Sequence, residues 1–332
     1  MTDRKPSVFI VGANGQVASE ICLELDKRKE VILTALCRNP IGSVYLRANG
    51  LSVVHGNIEG TIMPEGIGTA DVIINTIYVK DKPAAMRKRH FGILENIVKA
   101  SNPDGVIIHF STIAVFHKSS YAHEKLDQEE FLKKLAKKYQ RKVIIFRLGH
   151  VFGKNQGHSL TFRDFLLDTP KISLPFDLSP DGNCVSIAYL TDIITLIAKK
   201  IDSYGRGVTF YSTVFNPPTS LEHIISGLGG AINPDPVIVT RRTSRSLHGF
   251  FSFLRQNKRL YDMGLSVIRR LPAFEQPIYI KHLVNRASDD INHTFNHNVF
   301  TIPDDMECYL WSPVPGERFP LIRPITNEEL LF

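Results

Sequence analysis

Short apolar runs alternate with helix-patterned stretches through the first half of the chain, and this alternation limits the fold more than any other feature. "SVFIVG" (7–12) is followed by "GQVASEICLELDKRK" (15–29), where Val17, Ile21 and Leu25 recur four apart. "EVILTALCR" (30–38), "LSVVHG" (51–56) and "ADVIINTIY" (70–78) read as the second, third and fourth strands. A helix at 83–101 opens on Pro83, a fifth strand spans 105–112, a long helix 121–139 and a sixth strand 142–149. A strand that is apolar at nearly every position has no face to leave in water. Such strands, separated by helices, form a parallel sheet covered on both sides. The expected class is α/β. Past residue 150 the regularity fades: 185–201 reads as a strand end and a helix, "GVTFYS" as a strand and "SLEHIISGLGG" as a helix. No repeat or low-complexity linker intervenes, so a second, smaller C-terminal lobe is expected to interleave with the first. The expected division is residues 1–155, with segments near 184–215 returning to them, and 156–332.

Composition removes several classes. The 332 residues suffice for a large core plus a second lobe. No stretch reaches the roughly 18 apolar residues that would span a bilayer. The N-terminus reads as the first strand, not as a signal peptide. Cys22, Cys37, Cys184 and Cys308 lie far apart without a CxxC pair, so neither a metal site nor a disulfide framework is expected, and a cytoplasmic setting is. The formal net charge of +7 is compatible with a polyphosphate ligand, an anionic membrane or nucleic acid, and chooses none of them.

"VGANGQVAS" joins the first strand to the first helix. The tight turn needs Gly12, Gly15 lets a pyrophosphate approach the backbone, and Ala18 allows close helix–strand packing. Gly12, Asn14, Gly15, Gln16 and Val17 are the loop's candidate cofactor contacts. A site for the unphosphorylated dinucleotide usually carries an acid after the second strand; here "LCRNP" has Arg38, which can fork onto a 2′-phosphate. The expectation is a Rossmann-like doubly wound parallel sheet that prefers NADP(H), with NAD(H) the second choice.

With "GANGQVA", "HFSTIAVF", "YAHEK" and "FRLGHVFG" in that order, residues 7–240 resemble the extended short-chain dehydrogenase/reductase superfamily, whose members act on nucleotide sugars. The resemblance implies that Tyr121 exchanges a proton with the sugar oxygen. Lys125, one helical turn on, would lower the tyrosine pKa from about 10 and hold the nicotinamide ribose. Thr112 would hydrogen-bond the reacting oxygen, with Ser111 the runner-up. It also implies an adenine site at Asn57, where the family usually has aspartate, and Ile58. Three departures stand out. The Asp–Glu pair of the sugar dehydratases is replaced by Ile113 and Ala114, which cannot transfer protons, so dehydration by that route is disfavoured. Arg89 replaces an asparagine and puts the proton relay through that helix in doubt. His150 stands where asparagine is more usual and is a candidate substrate contact.

Residues 241–270 carry eight Arg and Lys against one acid, Asp262, with aromatics interleaved. In a substrate-binding lobe, Arg241 and Arg242 would bind the diphosphate of a nucleotide sugar. A membrane-surface helix is the less favoured reading, because Gly249 and Gly264 interrupt the pattern, and no module for nucleic acid accompanies the charge. Family relatives often pair through the helices at 83–101 and 121–139, which makes a homodimer the implied assembly. The leading reading is reduction of a keto-sugar nucleotide. A nucleotide-sugar epimerase with retained cofactor and a non-catalytic NADP-binding sensor or scaffold are the alternatives.

Overall fold

The computed structural model describes residues 4–79, 81, 83–116, 120–153, 171–174, 181–182, 184–213, 219–220, 238–241 and 308–309. Two compact units divide the chain: Met1–Gly149, Ile187–Thr213 and Ile302–Ile322 form the first, and His150–Ser186, Val214–Thr301 and Arg323–Phe332 the second.

The first unit holds a wholly parallel sheet. Its strands are β1 (Ser7–Val11), β2 (Ile32–Cys37), β3 (Val53–His55), β4 (Val72–Asn75), β5 (Val106–Thr112), β6 (Lys142–Leu148), β11 (Gly207–Thr213) and β14 (Cys308–Tyr309). The order is β14-β11-β6-β5-β4-β1-β2-β3. Chain direction across the sheet reverses between β1 and β4, and their carboxyl ends open the crevice where sheets of this kind bind ligands. The alternating sequence produces this sheet because β4, β5 and β6 are buried almost throughout.

Helices α1 (Gln16–Arg28), α3 (Pro83–Ala100), α4 (Ser120–Tyr139) and α5 (Ile187–Lys199) cover the sheet, and a short α2 (Val44–Ala48) follows β2. α1 packs against α5 and α3 against α4. Period-2 alternation sends Phe9, Val11, Ile73, Ile107 and Val143 to one core, with Leu94, Ile97, Leu132 and Leu135 of α3 and α4. Arg28 ties the other layer together, pairing with Glu24 of its own helix and with Asp192 of α5.

The fourth strand is shorter than its apolar run suggests. It leaves the sheet after Asn75, and Thr76–Val79 turn over the end of β1, where Thr76 Oγ1 donates to Val11 O at 2.8 Å. Missing from the sequence reading was α2, whose five residues are too few for a helical period to show.

In the second unit, β7 (His150–Phe152) pairs in parallel with β10 (Cys184–Ser186), β8 (Lys171–Leu174) in parallel with β13 (Ile238–Arg241), and β9 (Asp181–Gly182) antiparallel with β12 (Thr219–Ser220). The helix expected at 220–230 lies outside the described residues beyond Ser220, as do residues 242–270 of the basic segment.

Candidate active site

Gly12 turns the chain out of β1 with φ +82. A Cβ there would lie 2.9 Å from Ile77 Cγ1 and 3.1 Å from Thr76 Oγ1, so glycine is required by the approach of the β4 exit as well as by the dihedral. The turn closes through Gly15 N–H donating to Gly12 O at 3.0 Å. Gly15 is the N-cap of α1. It supplies no capping side chain, and the first turn contains no acid. The leading N–H groups of any helix lack intrahelical acceptors, and no acid of the first turn competes for them here. Asn14, Gly15 and Gln16 are exposed and Val17 is half-buried. This loop fits a pyrophosphate.

Across the sheet edge, Arg38 projects from the end of β2 with its side chain 60% exposed, and Nη2 lies 3.6 Å from Glu59 Oε2. Asn57 accepts the Glu59 N–H on Oδ1 at 3.0 Å, which shapes the turn after β3. Ile58 is buried, and its carbonyl accepts from Asn96 Nδ2 at 2.8 Å. Arg89 faces this end of the sheet and grips Glu59 with two bonds of 2.7 and 2.8 Å.

At the carboxyl ends of β4 and β5, α4 presents Tyr121 and Lys125. Lys125 is buried, donates from Nζ to Phe110 O at 3.1 Å and lies 5.5 Å from the centre of the Tyr78 ring. Desolvation lowers its pKa to about 8, against the opposing pull of Glu124 and Glu129. Tyr121 meets Tyr78 edge to face at 6.1 Å. Here the sequence expectation is corrected. The Tyr121 pKa is not depressed but pushed up to about 12, by desolvation first and then by Tyr78 and Glu124. The residue as a whole is 39% exposed, and the protein packed around its hydroxyl still makes desolvation the leading cause. The Lys125 ammonium is turned toward a carbonyl and the neighbouring ring.

Thr112 is half-buried, and its Oγ1 accepts the Ala114 N–H at 3.1 Å at the start of the turn Ile113–Phe116. An accepting hydroxyl still has its proton to donate. Ser111 is buried, and its Oγ donates to Glu129 Oε1 at 2.6 Å. That carboxylate is also held by Arg147, through Nη2 at 2.6 Å and Nε at 3.1 Å. The Ser111 hydroxyl is thus taken up inside the core, and Thr112 is the hydroxyl left at the surface of the site.

The sequence reading missed a second tyrosine cluster. Tyr78 hydrogen-bonds Glu124. Val79 N–H donates to His90 Nε2 at 2.8 Å, which fixes the His90 proton on Nδ1, 3.0 Å from Glu124 Oε1. Desolvation, with Lys125 and Arg89 nearby, lowers the His90 pKa to about 4, so the ring is neutral. The one available signal was local: Glu124 follows Tyr121 by three residues on the same helix, and so shares its face.

His150 lies in β7 and Arg241 in β13, but their side chains, like the whole of Arg242, fall outside the described residues. Among the described residues no cluster of His, Cys, Asp and Glu could hold a metal ion, and no helix is long and apolar enough to cross a membrane. Cys22 and Cys37 are buried free thiols.

A parallel sheet with a glycine turn at its switch point and a Tyr–Lys pair beside it defines a dinucleotide-binding α/β protein. Residues 8–166 match the model of the NAD dependent epimerase/dehydratase family. Over that stretch the chain is similar to this family of NAD-dependent enzymes. No curated protein matches the sequence. Among solved structures, the fold is similar to UDP-N-acetylglucosamine 4-epimerase from Bacillus cereus, at 12% identity and TM-score 0.55 over 73% of this chain and 87% of that one. UDP-glucose 4-epimerase from Bifidobacterium longum, in complex with NAD+ and UDP, aligns at 14% identity and TM-score 0.52 over 72% and 87%. UDP-N-acetylglucosamine 4-epimerase from Methanobrevibacter ruminantium aligns at 14% and 0.53 over 79% and 99%.

Proposed function

We propose that the chain binds NADP(H) along Gly12–Val17 and reduces a keto group of a nucleotide sugar, with Tyr121 as the proton donor. The observation that carries this reading is Lys125, whose Nζ donates to Phe110 O of β5 and lies over the Tyr78 ring that Tyr121 meets edge to face. When bound, the cofactor supplies the hydride. The protein's part is to bind, orient and move one proton. Thr112 donates a hydrogen bond to the carbonyl oxygen, Tyr121 gives that oxygen its proton as negative charge develops, and Lys125 supports both the phenolate left behind and the ribose. A Tyr121 pKa near 12 keeps the phenol protonated at physiological pH, which suits a donor better than an acceptor. Arg38, with no acid beside it in "LCRNP", supports the phosphorylated cofactor. The diphosphate is assigned to the basic segment 241–270 on its charge alone.

A second reading is an epimerase that oxidises and re-reduces one sugar carbon, supported by the UDP-sugar 4-epimerases among the structural neighbours. Stoichiometry separates the two. Net NADPH oxidation with a UDP-4-keto-sugar supports the reductase. Interconversion of UDP-glucose and UDP-galactose without net cofactor turnover supports the epimerase. Tight nucleotide binding with neither reaction overturns both in favour of a sensor.

A further inference from the structure

Arg38 and Arg89 come from different layers and end on the same carboxylate. Arg38 leaves the end of β2, and its Nη2 lies 3.6 Å from Glu59 Oε2. Arg89 rises from α3 and takes both Glu59 oxygens, Nε to Oε1 at 2.7 Å and Nη2 to Oε2 at 2.8 Å. Its remaining Nη1 is 3.5 Å from Asp81 Oδ2. Glu59 is itself placed, because its N–H is bonded to Asn57 Oδ1 in the turn after β3. The end of the second strand is where such sheets distinguish a ribose 2′-hydroxyl from a 2′-phosphate.

We propose that these three side chains are a cofactor-selectivity device, with Arg89 a second cation for the 2′-phosphate and Glu59 a built-in competitor that occupies both guanidinium groups in the phosphate's place. The proposal rests on the NADP(H) reading above. A carboxylate offers a guanidinium the same pair of acceptor oxygens that a phosphate does, so an arginine fork closed on Glu59 is already shaped for phosphate. The two arginines are balanced by Glu59 and Asp81. An arriving phosphate dianion must turn the Glu59 carboxylate aside or meet it as a like charge. Glu59 therefore weakens the phosphorylated cofactor selectively, and the chain tolerates both forms more evenly than two arginines alone would allow. The departure from the family pattern at Arg89 thereby gains a role: its side chain serves the adenosine end of the cofactor.

The test is the dissociation constants of NADPH and NADH, measured for the wild-type protein and for Glu59→Gln, Arg89→Gln and Arg38→Gln by fluorescence titration at fixed ionic strength. NADH is the internal control, because it shares every contact except the phosphate. Glu59→Gln should tighten NADPH by roughly threefold to tenfold and leave NADH nearly unchanged, and Arg89→Gln should weaken NADPH by a similar factor. Unchanged or weaker NADPH binding in Glu59→Gln, equal tightening of both cofactors, or an unchanged ratio in Arg89→Gln overturns the proposal. Arg38→Gln tests the reading beneath it: an unchanged ratio there removes the NADP(H) assignment itself, whereas a lowered ratio with silent Glu59 and Arg89 variants removes only the device.

Discussion

Replacing Arg147 by methionine strands a charge directly beneath the candidate site. Glu129 and Arg147 are buried, with side-chain exposures of 2% and 8%, and are joined by bonds of 2.6 and 3.1 Å. The Arg147 guanidinium also lies 4.7 Å from the centre of the Phe210 ring. After Arg147→Met, Glu129 keeps the Ser111 hydroxyl as a donor but loses its counter-ion. Breaking a buried pair on one side costs about 3–5 kcal/mol, because the remaining charge loses the counter-ion bonded to it. At roughly 1.4 °C per kcal/mol for a chain of 332 residues, the melting temperature should fall by about 4–7 °C. Thermal melts followed by circular dichroism, supported by urea midpoints, measure this. The decisive comparison is the triple variant Ser111→Ala, Glu129→Leu, Arg147→Met. It removes the charges and the orphaned hydroxyl together and should recover most of the loss, since apolar replacements of a buried pair are often neutral. If Arg147→Met costs under about 1 kcal/mol, or the triple variant is as unstable as the single, the stranded-charge argument fails.

Tyr121→Phe should abolish turnover while leaving cofactor binding nearly intact, because the hydroxyl moves the proton and the ring does not hold the nucleotide; wild-type rates would remove the mechanism. Gly12→Ala should destabilise the first unit by about 1–3 kcal/mol and weaken NADPH binding, as its Cβ meets Ile77 at 2.9 Å with φ at +82; unchanged melting would refute the steric argument. The His90 pKa falls from 6.5 to about 4 in the fold. The unfolded chain therefore holds more protons within that window, and stability should drop as pH falls through it. At about 1.4 kcal/mol for each pH unit, urea midpoints at about pH 7 and about pH 5 should differ by about 2 kcal/mol from this residue, and His90→Gln should flatten the difference.

Period alone made the sheet legible. Strands such as "VIIHFST" and "KVIIFRL" are apolar on both faces, and only a two-sided parallel sheet buries them. The glycine turn was legible too, because its requirements are local: one residue with positive φ, followed by a helix start. The Tyr121–Lys125 pair was visible as one helical turn, but its electrostatics were not. Tyr78, in the turn beyond β4, reaches Tyr121 and faces Lys125, and desolvation, with Tyr78 and Glu124 adding to it, reverses the expected direction of the tyrosine pKa. In the same way, that Ser111 is bound to Glu129, and that Arg38 and Arg89 converge on Glu59, follows from contacts between elements far apart in the chain. Sequence determined which segments form the layers, because backbone hydrogen bonding and apolar period act over a few residues. Tertiary structure alone decided which charges meet, because desolvation and Coulomb interactions act through space between side chains that the fold brings together.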